Sequence, residues 1–134
     1  MMSSKLSTLG YRCVLVEDEP LAIEMMVEYI SERNELNLIE VVDNLDEYEG
    51  VLKGSNNIDI IFLDLKIRGG EVFELMQENK NYNSIFVIVS AHAYSHTQRL
   101  PEDINKYFIT KPVSNANFNS CMDRILNDKV RLSN

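Results

Sequence analysis

Five short runs of apolar, mostly β-branched residues punctuate this chain: Tyr11–Val16, Leu36–Val42, Ile58–Leu63, Ile85–Val89 and a last one centred on Tyr107–Ile109. Runs of this kind form strands buried on both faces. Helix-like segments, several with apolar residues at helical spacing, lie between them. Strand and helix in strict alternation imply a parallel sheet with helices on both of its faces. The expected class is α/β, a doubly wound five-stranded parallel sheet.

Pro20 stands where a helix opens, and the pattern runs to about Arg33. Leu21, Met25 and Tyr29, with Ala22, Met26 and Ile30, predict one core-facing stripe there, with Asn34 as the stop. Asp43 or Asn44 caps a shorter helix that ends by Gly54. Gly69-Gly70 mark a turn, and Glu71 to Glu78 a short helix carrying Val72, Phe73, Leu75 and Met76. Asn115 to about Lys129 is the last helix, with Phe118, Met122, Ile125 and Leu126 on one face. The stretch from His92 to Lys106 is polar and broken by Pro101, so the helix due there is expected to be short or mobile. Residues 1–10 read as an N-terminal extension, 11–129 as the domain and 130–134 as a tail.

At 134 residues the chain is one domain with room for a proper core. Its 13 Lys and Arg against 21 Asp and Glu leave a formal charge of −8, which repels phosphate backbones and argues against direct nucleic-acid binding. Cys13 and Cys121 form no close-spaced pair, and Cys13 sits inside an apolar run as a small buried hydrophobe. Without a disulfide framework, a secretory leader or an apolar stretch of ~18 residues, the expected location is the cytoplasm, away from membranes.

The polar groups that end the apolar runs are more informative. Glu17-Asp18 follow the first run, Asp64 the third, Ser90 the fourth and Lys111-Pro112 the fifth. On one parallel sheet all of them reach the same carboxyl edge, where open α/β sheets hold ligands. Acids gathered there repel one another unless a cation joins them. The set asks for a divalent metal, with lysine and hydroxyl facing an anion.

Four stretches, taken in order, resemble the motifs of the receiver domain of two-component response regulators, a flavodoxin-like fold. They are Val14-Leu15-Val16-Glu17-Asp18-Glu19-Pro20, Ile58-Asp59-Ile60-Ile61-Phe62-Leu63-Asp64, Val89-Ser90-Ala91 and Ile109-Thr110-Lys111-Pro112. The resemblance runs from about Arg12 to Leu126. It implies strand order 2-1-3-4-5, in which the first and third strands meet at the switch point and bring Asp18 to Asp64. It implies Mg²⁺ or Mn²⁺, held by Asp18, Asp64, the Lys66 carbonyl and Glu17, the last as a ligand or an acid just behind one. Asp64 is then the phosphoacceptor, attacking phosphorus in line. Lys111 pairs with Asp64 at rest and with the phosphoryl group after transfer, the Lys111–Pro112 bond being cis. Ser90 turns its hydroxyl to the phosphoryl group. Phe108 takes the aromatic switch position, with Tyr107 on the opposite side of the strand.

The function so implied is a Mg-dependent phosphoryl acceptor rather than an enzyme, with slow self-dephosphorylation. Its donor would be a sensor histidine kinase or a histidine phosphotransfer protein. Its output would be a two-state shift read by a downstream protein or by an output domain that this chain lacks. A homodimer through the fourth helix, fifth strand and fifth helix is a further expectation. The alternatives are a degenerate receiver acting as a docking module, a haloacid-dehalogenase-type phosphohydrolase and a flavin carrier. The phosphohydrolase needs a second aspartate where Lys66 stands; the flavin carrier needs a phosphate-cradling loop where Glu17-Asp18-Glu19 stand. Ile67 and Arg68 replace the family's usual methionine and proline, which loosens the loop presenting Lys66. Lys66 and His92 stand where the family tunes dephosphorylation. His92 and His96 have the spacing of a helical metal pair but no further ligands beside them.

Overall fold

The strand runs assemble into one parallel sheet in the computed structural model, which describes residues 10–54, 57–79, 83–91 and 98–133, with side chains as far as Lys129. The elements are β1 (Tyr11–Val16), α1 (Pro20–Ser31), β2 (Leu36–Val42), α2 (Leu45–Lys53), β3 (Ile60–Leu63), β4 (Lys66–Ile67), β5 (Gly70–Glu71), α3 (Phe73–Glu78), β6 (Ile85–Ser90), β7 (Asn105–Thr110) and α4 (Asn115–Ser133). The main sheet has the order β2-β1-β3-β6-β7 with every pair parallel. Counting only these five strands, that is the expected 2-1-3-4-5. β4 and β5 form a separate two-residue antiparallel hairpin.

Alternation along the strands divides the core in two. Val14, Val16, Ile61, Leu63, Phe86 and Ile88 face the side covered by Tyr48 of α2 and by Phe73 and Met76 of α3. Cys13, Leu15, Ile60, Phe62, Val87 and Val89 face Met26 and Ile30 of α1 and Phe118, Met122 and Ile125 of α4. Phe118 is the hub of this second layer, its ring 5.6 Å from Phe62 and 5.7 Å from Tyr29. Arg33 fastens α1 to α4, donating to Asn119 at 2.8 Å and Asp123 at 2.9 Å.

Two features depart from the sequence pattern. The six-residue stripe of α1 is wider than the arc the sheet covers: Met26 and Ile30 are buried, but Leu21 is 61% exposed. Its first turn lies at the carboxyl edge of the sheet, where Leu21 and Met25 line a cavity instead. The short third helix begins at Phe73 rather than Glu71, because Gly70–Glu71 pair with Lys66–Ile67. Of the stretch expected to hold the fourth of five helices, residues 92–97 lie outside the described residues, and 98–104 carry a 3₁₀ turn at Gln98–Arg99 with Leu100 and Ile104 buried. Arg99 holds this segment to α3 by lying 4.0 Å over the Phe73 ring and pairing with Glu71 at 3.1 Å. His92 and His96 lie outside the described residues.

Candidate functional site

β1, β3, β6 and β7 end together, and the residue after each hydrophobic run is released from the core at the same edge. The register sets Val16 beside Leu63, Leu63 beside Ile88 and Ser90 beside Thr110. Glu17, Asp18 and Asp64 therefore converge, each offering a carboxylate oxygen within 4.8 Å of the others. Lys111 enters from the end of β7. Its Nζ lies 2.9 Å from Glu17 Oε1 and donates to Asp64 Oδ2 at 3.1 Å. The Lys111–Pro112 peptide is cis.

Glu17 is the one charged residue buried among those described, at 2% exposure. That burial raises its carboxyl pKa, over the opposing pull of Lys111, and the neighbouring Asp64 adds to the rise. Burial works against the Lys111 charge too, but hydrogen bonding and attraction from Glu17 and Asp64 win and hold its ammonium above the usual lysine range. The pocket thus sets a firmly held cation against an acid whose charged form burial disfavours.

Glu19 was not singled out by the sequence, although Glu-Pro at a helix start was the available signal. Its carboxylate caps α1, accepting from the Leu21 and Ala22 amides at 3.3 and 2.8 Å. Its own N–H donates to Glu17 Oε2 at 3.2 Å. Glu17 is thereby held from both sides.

Asp64 Oδ1 accepts from the Lys66 N–H at 3.3 Å. Lys66 opens the β4–β5 hairpin, which the Ile67-Arg68 substitution was expected to loosen. Ile67 is buried at 4% exposure, the Val72 amide donates to the Leu65 carbonyl at 3.1 Å, and the Leu45 amide donates to Arg68 at 3.0 Å. The loop is tied at three points without a proline.

Ser90 closes β6 half-buried, and its carbonyl accepts from the Lys111 amide at 3.2 Å. Phe108 packs on the side of the sheet that carries Phe86 and Ile88. Tyr107 faces the opposite layer, with its hydroxyl on Asp128. Beside Lys111 a cavity of about 390 Å³ opens, lined by Leu21, Ala22, Met25, Ala91, Pro112 and Val113.

The sequence model of the response regulator receiver domain matches residues 13–123, the whole span from β1 into α4. The chain belongs to that family. This receiver has the fold of several solved relatives, all distant in sequence. A two-component response regulator from Clostridium difficile shares 15% identity over 87% of this chain and 96% of its own, with a TM-score of 0.72. The CheX–CheY–BeF3–Mg complex from Borrelia burgdorferi matches at 19% identity over 87% and 89%, with a TM-score of 0.71. The receiver domain of a sensor histidine kinase from Pseudomonas aeruginosa, with magnesium coordinated in its active-site cleft, matches at 15% over 86% and 96%, TM-score 0.69. No curated protein sequence matches the chain. Among the described residues, no helix is long and apolar enough to cross a membrane.

The three carboxylates fit a hard divalent cation. Such ions take oxygen donors, and three carboxylate oxygens within 4.8 Å of one another leave room for one shared ion.

Proposed function

We propose that this receiver accepts a phosphoryl group on Asp64 and passes the change to a protein partner. The observation that carries this is the pairing of Lys111 with both Glu17 and Asp64 inside a cluster of three carboxylates. A cation already seated on the nucleophile marks where an incoming anion settles.

In the proposed transfer an Asp64 carboxylate oxygen attacks phosphorus from the side opposite the donor. The O–P bond forms as the P–N bond of a phosphohistidine breaks, and that bond's electron pair returns to the imidazole nitrogen. Lys111 releases Asp64 and follows the phosphoryl oxygen, which its flexible stem permits. Mg²⁺ or Mn²⁺, held by Glu17, Asp18, Asp64 and the Lys66 carbonyl, would offset the repulsion between carboxylate and phosphate. Ser90 is assigned the hydroxyl contact to the phosphoryl group and Phe108 the ring that responds.

The phosphodonor protein is assigned to the apolar cavity beside Lys111. Leu21 is 61% exposed there, and a helix seated against Leu21, Met25 and Pro112 would bring a histidine to the acids. A homodimer formed through the face around Phe108 is tested by sedimentation with and without beryllofluoride.

The deciding experiment is incubation with Mg²⁺ and acetyl phosphate followed by intact mass, for wild type and Asp64→Asn. An adduct that needs Mg²⁺ and is missing in the variant supports the proposal. No adduct, together with no beryllofluoride binding, would make the chain a phosphorylation-independent docking module.

A further inference from the structure

The hairpin that carries Lys66 is braced from outside by the first residue of α2. Leu45 donates its N–H to the Arg68 carbonyl at 3.0 Å, and Asn44 pairs with Arg68 in an isolated parallel bridge. The Leu45 side chain closes on the turn as well. A Cβ placed on Gly69 would come within 3.2 Å of Leu45 Cβ, and one on Gly70 within 3.3 Å of Leu45 Cδ1. Both glycines hold positive φ, 105° and 135°, so the turn is shaped to lie flat against this residue. α2 itself does not yield easily. The Asn44 side chain caps it through the Glu47 amide at 2.9 Å, and Tyr48 anchors it in the core with no exposure.

We infer that Leu45 is a positioning residue for the divalent-cation site: it fixes the hairpin turn at Arg68, and through it the backbone of Lys66. The inference rests on the metal site assigned above. It gives this chain a substitute for the proline missing at Arg68. The Arg68–Asp43 ion pair, at 3.8 Å with the arginine side chain 69% exposed, is too long and too wet to do the same.

Proline at position 45 removes the N–H donor, while Leu45→Ala keeps that N–H and removes the side chain beyond Cβ. The first residue of a helix has no intrahelical partner for its N–H, and proline is tolerated there. Asn44, at φ −149° and ψ 163°, already has the extended backbone that a following proline requires. Calorimetric titration with Mg²⁺ alone and thermal melting are read for wild type, Leu45→Pro, Leu45→Ala, Leu45→Met and Arg33→Met. Loss of one backbone hydrogen bond predicts Mg²⁺ binding weakened about fivefold in Leu45→Pro. Leu45→Met should stay within about twofold of wild type and Leu45→Ala fall between, each scaled from that same bond and contact loss. Arg33→Met, which loosens α1 from α4, should lower the melting temperature without moving Mg²⁺ affinity.

Wild-type affinity in Leu45→Pro, or equal weakening in Arg33→Met, would overturn the inference. If the proline variant does not fold, equal affinities for the alanine and methionine variants overturn it, and a weaker alanine variant supports it. If wild type binds no Mg²⁺, the metal assignment falls and this inference with it. If wild type binds and the Leu45 variants do not differ, only the inference falls.

Discussion

Lys111→Met removes one charge from the pocket while keeping the length and apolar stem of the side chain. In the wild type that charge answers Glu17 at 2.9 Å and Asp64 at 3.1 Å, with side-chain exposures of 3% and 14% for the two acids. Breaking a fully buried pair costs about 3–5 kcal/mol, because the remaining charge is stranded. Lys111 is 28% exposed, so water recovers part of this, and a loss of about 2–4 kcal/mol is expected without metal. For a domain of this size that is a fall of roughly 10 °C in melting temperature. The loss should depend on pH. Without its lysine Glu17 binds a proton more tightly still, and a carboxyl whose pKa is raised by folding stabilises at low pH and ceases to as pH rises through its folded value. The deficit relative to wild type should therefore be smaller in acidic than in basic solution. Millimolar Mg²⁺ should raise the melting temperature of the variant more than that of wild type, since the ion replaces the missing charge. Melts at pH 5 and 8, with and without Mg²⁺, are the assay. A deficit that is the same at both pH values and unchanged by Mg²⁺ would show that Lys111 does not balance the acids.

Other perturbations probe the scaffold. Gly69→Ala forces an L side chain to a φ of 105° and sets its Cβ 3.2 Å from Leu45, so a loss of about 1–3 kcal/mol is expected in denaturant melts. Adding Leu45→Ala should restore little of it, because alanine keeps the Cβ that makes the 3.2 Å contact. Phe118→Ala empties the contact between Phe62 and Tyr29 and should cost about 3–5 kcal/mol, read by the same melts. Tyr107 should titrate late in an ultraviolet pH titration, since burial and its bond to Asp128 push its phenol up to about 12. Stability tied to it is complete below pH 10 and is lost as pH rises through 12, and Tyr107→Phe should abolish both signals.

Much of the architecture was legible because its causes are local. β-branched runs such as Ile60–Leu63 form strands wherever they are placed, and a polar residue directly after one leaves the core at that strand's end. Knowing that the sheet is parallel was then enough to gather Asp18, Asp64, Ser90 and Lys111 on one edge. The boundaries that slipped were decided by long-range pairing. Lys66–Ile67 finds Gly70–Glu71 and delays α3, while Arg99 on Phe73 holds a segment whose own pattern is weak.

The amino-acid order by itself thus determined the alternation of strands and helices, the apolar runs that fill the core and the chemistry available at the sheet edge. Tertiary structure alone decided which acid is buried against Lys111, that Leu21 faces a cavity instead of the core, and that Leu45 braces the loop beside Asp64. Hydrophobic period and strand-end polarity are written within a few neighbouring residues. Burial, charge pairing and bracing depend on which surfaces meet, and those surfaces are brought together only when distant strands close into one sheet.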